Sequence, residues 1–257
     1  MKQPLHFKVL FCLSTILLSL LSIELYGANG SMTIGGRSIF NLNLDNNGIG
    51  WEWTAATNTL TLSEAYSGNN PITINSERTD TINLNYSGDV NISTATSDPI
   101  LCIGSLLING SEGTLSLAYT ADNISYCGIT VHGALIINSG DIVVSCASSS
   151  TSSMDAVAIY SFNGIFIGGD SNVTAIVTGE NAYGIYCDFW GINQGQIKIA
   201  TTGVVTSNGT GTSGYAIAPK NNTTMLISNG TVNLSNSDAP SNMIWENKLE
   251  MTGGTSS

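Results

Sequence analysis

Charged residues are scarce in this chain, and basic residues are the scarcest. The 257 residues include 7 Lys and Arg against 18 Asp and Glu, which gives a formal net charge of −11. Binding to a phosphate backbone requires clustered Lys and Arg. Beyond the first thirty positions the basic residues are instead scattered singly, as Arg37, Arg78, Lys198, Lys220 and Lys248. We therefore expect no nucleic acid partner.

Closely spaced cysteine pairs are also missing. No CxxC motif occurs, and His132 is the one histidine beyond the first thirty residues. Zinc sites are usually built from such pairs together with further Cys or His ligands. The sequence therefore does not predict a zinc centre.

A hydrophobic run long enough to cross a membrane is absent as well. The apolar stretch over positions 9–23 follows Lys2, His6 and Lys8 and precedes the small residue Ala28. A membrane helix needs about 20 apolar residues, whereas a basic start, a shorter apolar run and a small-residue cleavage site are typical of a signal peptide. We expect a signal peptide over 1–28, a mature chain without a transmembrane segment, and a secreted or cell-surface location.

Helical periodicity is missing from the mature chain, but an internal repeat is present. A small or polar residue followed by Ile recurs with Ile at positions 100, 129, 159, 185, 217 and 244. A repeat period between 20 and 50 residues indicates a solenoid. Tyr follows the Ile in two of the copies, as Tyr160 and Tyr186.

A second mark follows the first in five copies and ends a short apolar run. It is an Ile at positions 108, 137, 167, 192 and 227, followed by a turn and an alternating strand. Each unit thus offers three short strands, which cannot bury their apolar faces alone and must stack on copies of themselves. Stacked strands lie ~4.8 Å apart in parallel. The pattern predicts an all-β parallel β-helix of about six coils, in which Asn109 and Asn138 stack as part of an Asn ladder.

The segment before the repeats has a different pattern. Within residues 31–69, the runs Gly48–Trp53 and Thr59–Leu62 alternate as two strands around a tight turn would. Repeat arrays need atypical end units to cover their open ends. We expect an N-terminal β cap over 31–69 and the β-helix over 70–257.

These residues carry a resemblance to a known family. The run Gly50-Trp51-Glu52-Trp53, then Asn58-Thr59-Leu60-Thr61-Leu62 and the later Gly-Ile-Tyr and Ala-Ile-Tyr units resemble the secreted, β-helical, carbohydrate-binding-domain-containing proteins of anaerobic gut and fibre-degrading bacteria. The resemblance implies a right-handed helix and binding of acidic or plant-type polysaccharide, with calcium as a candidate cofactor.

A column of aromatic residues is the first candidate site. If the Ile of the first mark points inward, the next residue points outward, and this places Tyr160 beside Tyr186. Phe162, Asp188 and Trp190 extend the same surface. Aromatic rings stack on sugar rings, so the five residues are candidate polysaccharide ligands. The alternative is that the rings only cover and stabilise the sheet as a ladder.

Acidic residues that precede the first mark form the second candidate site. Asp122, Asp155 and Glu180, with Asp238 further on, fall in turns before successive Ile residues. Calcium takes six to eight oxygen ligands, so carboxylates of neighbouring turns are candidate calcium ligands. The alternative is a set of solvated turn residues.

A catalytic set is not visible in the sequence. A hydrolase needs two carboxylates within reach of one glycosidic bond, and a lyase needs a placed base. The row of His132, Asp188 and Lys220 is suggestive but arises easily by chance. We expect a non-enzymatic polysaccharide-binding or adhesion module, with a polysaccharide lyase or glycoside hydrolase as the first alternative and a structural surface spacer as the second.

The repeat also predicts the state of the cysteines. Cys102 and Cys187 occupy the same inward position, two residues after the marker Ile, but lie three coils apart, or roughly 14 Å at the usual strand spacing. A disulfide needs Cα atoms within about 7 Å. We expect Cys102, Cys127, Cys146 and Cys187 to remain free thiols.

Overall fold

The structure is a computed structural model that describes residues 30–121, 127–148, 155–189, 195–211, 213–221, 223–236, 238, 244 and 249–256. The predicted signal peptide over 1–28 lies outside this range. No helix in the described part of the chain is long and apolar enough to span a membrane.

The first strands form a small antiparallel unit. Its tight turn is a short 3-10 helix over Ala55–Thr57 that ends at Asn58, whose φ of 49° is left-handed. The two strands flanking this turn pair antiparallel, with Trp53 opposite Leu60. The predicted pair of alternating strands is therefore confirmed. The strands are β1 Ser31–Ile34, β2 Arg37–Ile39, β3 Asn46–Gly48, β4 Trp51–Thr54 and β5 Thr59–Ser63.

The remaining strands build the stacked coils. They are β6 Ser67–Gly68, β7 Ile72–Asn75, β8 Thr81–Ser87, β9 Val90–Thr94, β10 Ile100–Cys102, β11 Ser105–Ala121, β12 Cys127–Val131, β13 Ala134–Ser148, β14 Asp155–Ser161, β15 Gly164–Ile167, β16 Asn172–Thr178, β17 Asn181–Phe189, β18 Gly195–Thr210, β19 Tyr215–Asn221, β20 Thr223–Ser235, β21 Leu249–Met251 and β22 Thr255–Ser256.

Parallel pairing between successive coils produces a β-solenoid of about six turns. Sheet A has eight strands in the order β19-β17-β14-β12-β10-β7-β1-β2, and sheet B holds the other fourteen. Strand β1 pairs antiparallel with β7, whereas β7 and all later strands of sheet A pair parallel. The predicted all-β stacked architecture is confirmed.

The marker isoleucines form one continuous inward column of sheet A. The register pairs Ile72, Ile100, Ile129, Ile159, Ile185 and Ile217 in turn, and Ile244 bridges to Ile217. The first six side chains are completely buried. The repeat read from the sequence therefore has the correct register in this sheet.

A small residue precedes the marker Ile because it also points inward. A Cβ added to Gly128 would lie 2.0 Å from Cγ1 of Val144 on the facing sheet. Ala158 takes the same position one coil on and is fully buried. Two consecutive residues thus face the core, and strict alternation is interrupted at this point in the coils where both residues are described. As a result, the residues two before and one after the Ile both face outward.

The second mark is correct in four copies and wrong in one. Ile108, Ile137 and Ile167 pair in sequence, but the partner of Ile167 is Ile199. Ile199 then pairs with Ile227. The predicted member Ile192 lies outside the described residues. Its turn sequence resembles that of the earlier copies, but the corresponding strand position is seven residues further along.

An amide ladder runs along one turn of the solenoid. Nδ2 of Asn109 donates to Oδ1 of Asn85 at 3.2 Å, and Nδ2 of Asn138 donates to Oδ1 of Asn109 at the same distance. The predicted stacking of Asn109 and Asn138 is confirmed, and Asn85 extends the ladder by one coil.

The four described cysteines are free thiols, as predicted. Cys102 and Cys187 lie in one column with Val131 and Ser161 between them. Burial raises the pKa of Cys102, Cys146 and Cys187 to about 12. These three thiols therefore act as small core groups and stay protonated near neutral pH.

Candidate functional site

The outer face of sheet A carries the predicted aromatic column. In register, Tyr160 lies between Thr130 and Tyr186, and Ala218 follows on the next strand. Leu101 precedes Thr130 in the same column. The predicted neighbours are therefore adjacent, whereas the predicted ligand Trp190 lies outside the described residues.

A second outward column lies beside the first. It consists of the residues two before the marker Ile, and its register pairs Cys127, Val157, Tyr183 and Tyr215. The inward position of the small residue turns this column outward. Tyr183 and Tyr215 thus join the aromatic surface, although strict alternation would have assigned them to the core.

The rings on this face form one continuous series of contacts, which we call the ring row. It consists of His132, Phe162, Tyr160, Tyr186, Tyr183 and Tyr215. Successive centroids are 4.8, 4.7, 5.1, 5.1 and 6.1 Å apart. The last pair is stacked, with an interplanar angle of 8°, and the others are tilted. Such distances fall within the attractive range for aromatic pairs.

The ring row is not uniformly exposed, which corrects the expectation for Tyr186. This side chain is only 7 % exposed and Tyr183 only 4 %, because they pack with Val157 and Ala218 in a small outer hydrophobic cluster. Tyr160, Phe162 and His132 are half-buried. We call these three residues the exposed end of the ring row.

Polar groups anchor the buried middle of the ring row. The Tyr186 hydroxyl donates to Oδ2 of Asp188 at 3.2 Å, and the Asn221 amide donates to the other carboxylate oxygen. Nζ of Lys220 lies 5.3 Å from the ring centroid of Tyr183 and 5.2 Å from that of Tyr186. Asp188 is 9 % exposed. The predicted ligand Asp188 therefore holds Tyr186 in place and offers little surface to a ligand.

The exposed end of the ring row is uncharged at neutral pH. The pKa of His132 lies below its ordinary value because the ring is partly buried and because the Arg78 charge is nearby. His132 is therefore neutral at pH 7. Phe162 and Tyr160 carry no charge either, so this surface suits contact with an uncharged ring face.

Asp98 is a second carboxylate at the outer face of sheet A. Its Oδ1 accepts a hydrogen bond from the backbone N–H of Cys127 at 2.7 Å. Burial raises the pKa of Asp98, against the hydrogen bond from the backbone N–H of Cys127, which lowers it. Asp98 precedes Ile100, whereas Asp188 follows Ile185, so three coil steps separate them, or roughly 14 Å.

The predicted calcium column is described only in part. Asp122 lies outside the described residues, and so does the side chain of Asp155. The Asp155 backbone pairs with Asn181, so Glu180 stands one position before that partner. Glu180 and Asp238 are exposed. Among the described side chains, no three His, Cys, Asp or Glu lie together as metal ligands would. Calcium binding stays a prediction.

His132, Asp188 and Lys220 are aligned along the solenoid, but they do not form a hydrogen-bonded acid-base set. Asp188 pairs in register with Lys220, and Phe162 stands between them and His132, against whose ring it packs. The carboxylate binds Tyr186 and Asn221 instead of an imidazole. The geometry therefore lacks the hydrogen-bonded acid and base that nucleophilic or general-base chemistry needs.

A scan against protein-family models finds no match to this chain, and searches of the curated proteins and of the solved structures find none either. The resemblance to secreted carbohydrate-binding-domain-containing proteins consequently rests only on the Trp-Glu-Trp run, the Ile-Tyr repeat units and the solenoid fold. Many unrelated chains have a solenoid fold. Fold alone does not identify function.

Proposed function

We propose that this chain is a secreted or cell-surface, non-enzymatic polysaccharide-binding module whose contact surface is the exposed end of the ring row. The observation that supports the proposal most strongly is the continuous contact of Tyr160, Phe162 and His132 at 4.7 and 4.8 Å on the outer side of one sheet. Flat rings that expose one side can stack on sugar rings while the Tyr hydroxyl and the imidazole bind sugar hydroxyls.

The buried middle of the ring row supports the exposed end. Tyr160 packs against Tyr186 at 5.1 Å, and Tyr186 is fixed by its hydrogen bond to Asp188 and by the Lys220 amine. A ring held in one orientation loses little conformational freedom when a ligand stacks on it. This preorganisation favours a binding surface over a mobile aromatic patch.

The alternative of a glycoside hydrolase has little support among the described residues of sheet A. Hydrolysis by two carboxylates requires a separation of roughly 5 to 9.5 Å. Asp98 and Asp188 are roughly 14 Å apart along the solenoid axis, before any offset across the strands is added. They cannot act on one glycosidic bond in this arrangement.

The alternative of a structural spacer has one specific observation in its favour. The outer cluster of Val157, Tyr183, Tyr186 and Ala218 closes largely on itself, as a cluster selected for stability would. Aromatic pairs between neighbouring strands stabilise a sheet without any ligand. A spacer predicts no glycan binding, which separates it from our proposal.

A glycan array of the purified protein, with and without EDTA, tests the proposal first. We expect retention on at least one polysaccharide class, and EDTA reports on the calcium prediction. Retention should then be lost in Tyr160→Ala/Phe162→Ala and kept in Phe40→Ala. The control removes a ring that is 86 % exposed on the cap. Absence of binding to every glycan would favour the spacer.

A further inference from the structure

A shallow groove on the outer face of sheet B is separate from the ring row. Its volume is about 280 Å³, and it is lined by Ala134, Ile136, Gly164, Phe166, Gln196 and Lys198, with the backbone of Leu135 and Ile165 beneath. Ala134 and Gly164 are neighbours in one outward column, and Ile136, Phe166 and Lys198 are neighbours in the next. The groove thus runs along small residues, with a wall of larger ones.

Gly164 creates the depression in the groove. A Cβ at this position would lie 3.1 Å from the carbonyl oxygen of Gln196, and the φ of 150° disfavours other residues. The missing side chain leaves the ring of Phe166 beside an open strip of backbone. The volume lies just below the range of about 300 to 1,000 Å³ that is usual for pockets of drug-sized ligands, so the groove suits a small ligand.

The charge lining this groove is opposite to that of the whole chain. Lys198 is its one charged lining residue among the described residues, and its Nζ lies over the ring of Phe166, 5.4 Å from the centroid. The chain as a whole has a net charge of −11. Glu250 stands in the same column as Lys198, but Leu226 lies between them. A local positive charge beside an apolar wall favours an anionic ligand with a flat or apolar body.

We infer that this groove binds a six-membered ring bearing one carboxylate, with the ring against Phe166 and the carboxylate at Nζ of Lys198. Gln196 also lines the groove, and an amide side chain can bind a further hydroxyl. A sugar acid and an aromatic acid share this chemistry. The site is independent of the ring row and does not rest on the function proposed above.

Titrations of the ¹⁵N-labelled protein with sodium glucuronate, sodium benzoate and glucose test this inference. We expect at least one acid, and not glucose, to shift amide signals near Gly164 and Gln196. Lys198→Gln should weaken that acid about fivefold, whereas Lys198→Arg and the control Arg37→Gln should retain it. Ala134→Phe should fill the groove and abolish binding. Binding of glucuronate would identify a sugar acid as the ligand class, and binding of benzoate would identify an aromatic acid.

Three results would overturn the inference: no shifts with either acid, equal binding of glucose, or unchanged affinity in Lys198→Gln. The double variant Tyr160→Ala/Phe162→Ala separates the two sites, because it should leave acid binding intact. A loss of polysaccharide retention in that variant, together with intact acid binding, would show that the two surfaces act independently.

Discussion

The hydroxyl of Tyr86 donates a hydrogen bond of 2.8 Å to the backbone carbonyl of Asp141, two coils further along the solenoid. Space for this contact comes from Gly110 and Gly140, because a Cβ on either would lie 2.3 Å from atoms of the Tyr86 side chain. Tyr86 is 2 % exposed. One side chain therefore joins three successive coils at the turn, and the glycines there are required for close approach.

Tyr86→Phe should lower the free energy of unfolding by about 1 kcal/mol, because it removes one buried hydrogen bond and leaves the Asp141 carbonyl without that donor. Gly110→Ala should cost more, since its new Cβ would overlap the phenol ring. Urea unfolding followed by far-ultraviolet circular dichroism measures both. A Tyr86→Phe variant more stable than the parent would contradict this account of the turn.

Ile137→Asp should lower the unfolding free energy by several kcal/mol. Ile137 pairs with Ile167 in the inward column and is fully buried, so an aspartate there would bury an unpaired charge. The matched control is Thr178→Asp on an exposed strand position, which should shift stability by less than about 0.5 kcal/mol. Equal melting of the two variants would mean that the core column is misassigned.

Tyr186→Ala should destabilise the protein by about 3 kcal/mol, the usual cost of truncating a buried aromatic side chain. The ring packs with Tyr160 and Tyr183, and its hydroxyl binds Asp188. Tyr160→Ala removes a half-buried ring and should cost clearly less. Thermal unfolding of the pair tests the distinction, and a Tyr186→Ala variant as stable as Tyr160→Ala would show that the outer cluster contributes little.

Stability should fall at alkaline pH because of the buried thiols. Their pKa rises from an ordinary value of 9.0 to about 12 in the folded protein for Cys102, Cys146 and Cys187. Above pH 9 the unfolded chain loses these protons while the folded chain retains them, so unfolding becomes easier as pH rises. Between pH 8 and 10 we expect a loss of at least ~1 kcal/mol.

The control for this prediction is Cys102→Ala/Cys146→Ala/Cys187→Ala, whose alkaline decline should be shallower. Thiol reagent on the folded protein should modify the half-buried Cys127 first, and a denatured, unreduced sample should return four free groups from the mature chain. A count of two or zero would reveal disulfides and overturn the column assignment of Cys102 and Cys187.

The sequence predicts the inward Ile column of sheet A because Ile recurs at a nearly constant period. The period alone is enough for this prediction, since apolar β-branched residues that recur in this way are expected to be buried. The adjacency of Tyr160 and Tyr186 follows from that register. The outward position of Tyr183 does not follow from the repeat. It depends on the small residue before the marker Ile pointing inward, and this orientation results from packing against the facing sheet. Val144 sets that contact with Gly128.

The burial of Tyr186 on the outer face of sheet A also does not follow from the sequence. Alternation shows that Tyr186 points outward but not that Tyr183 and Lys220 pack over it. The wrong assignment of Ile192 to the second-mark column has a different cause. The Ile-Asn-x-Gly sequence that begins at Ile192 resembles the turns of the earlier repeat copies. The structure shows instead that Ile199 continues the column from Ile167. Short Ile-Asn-Gly patterns recur by composition, and only strand pairing distinguishes them.

The most direct test of the polysaccharide-binding proposal locates a bound oligosaccharide on the protein. An oligosaccharide of the class retained on the array would be titrated into the ¹⁵N,¹³C-labelled protein, and shift changes would be mapped by residue. We predict the largest changes at Tyr160, Phe162 and His132, with upfield shifts of sugar protons that lie over the rings. Changes confined to other surfaces, with these three residues unaffected, would contradict the account.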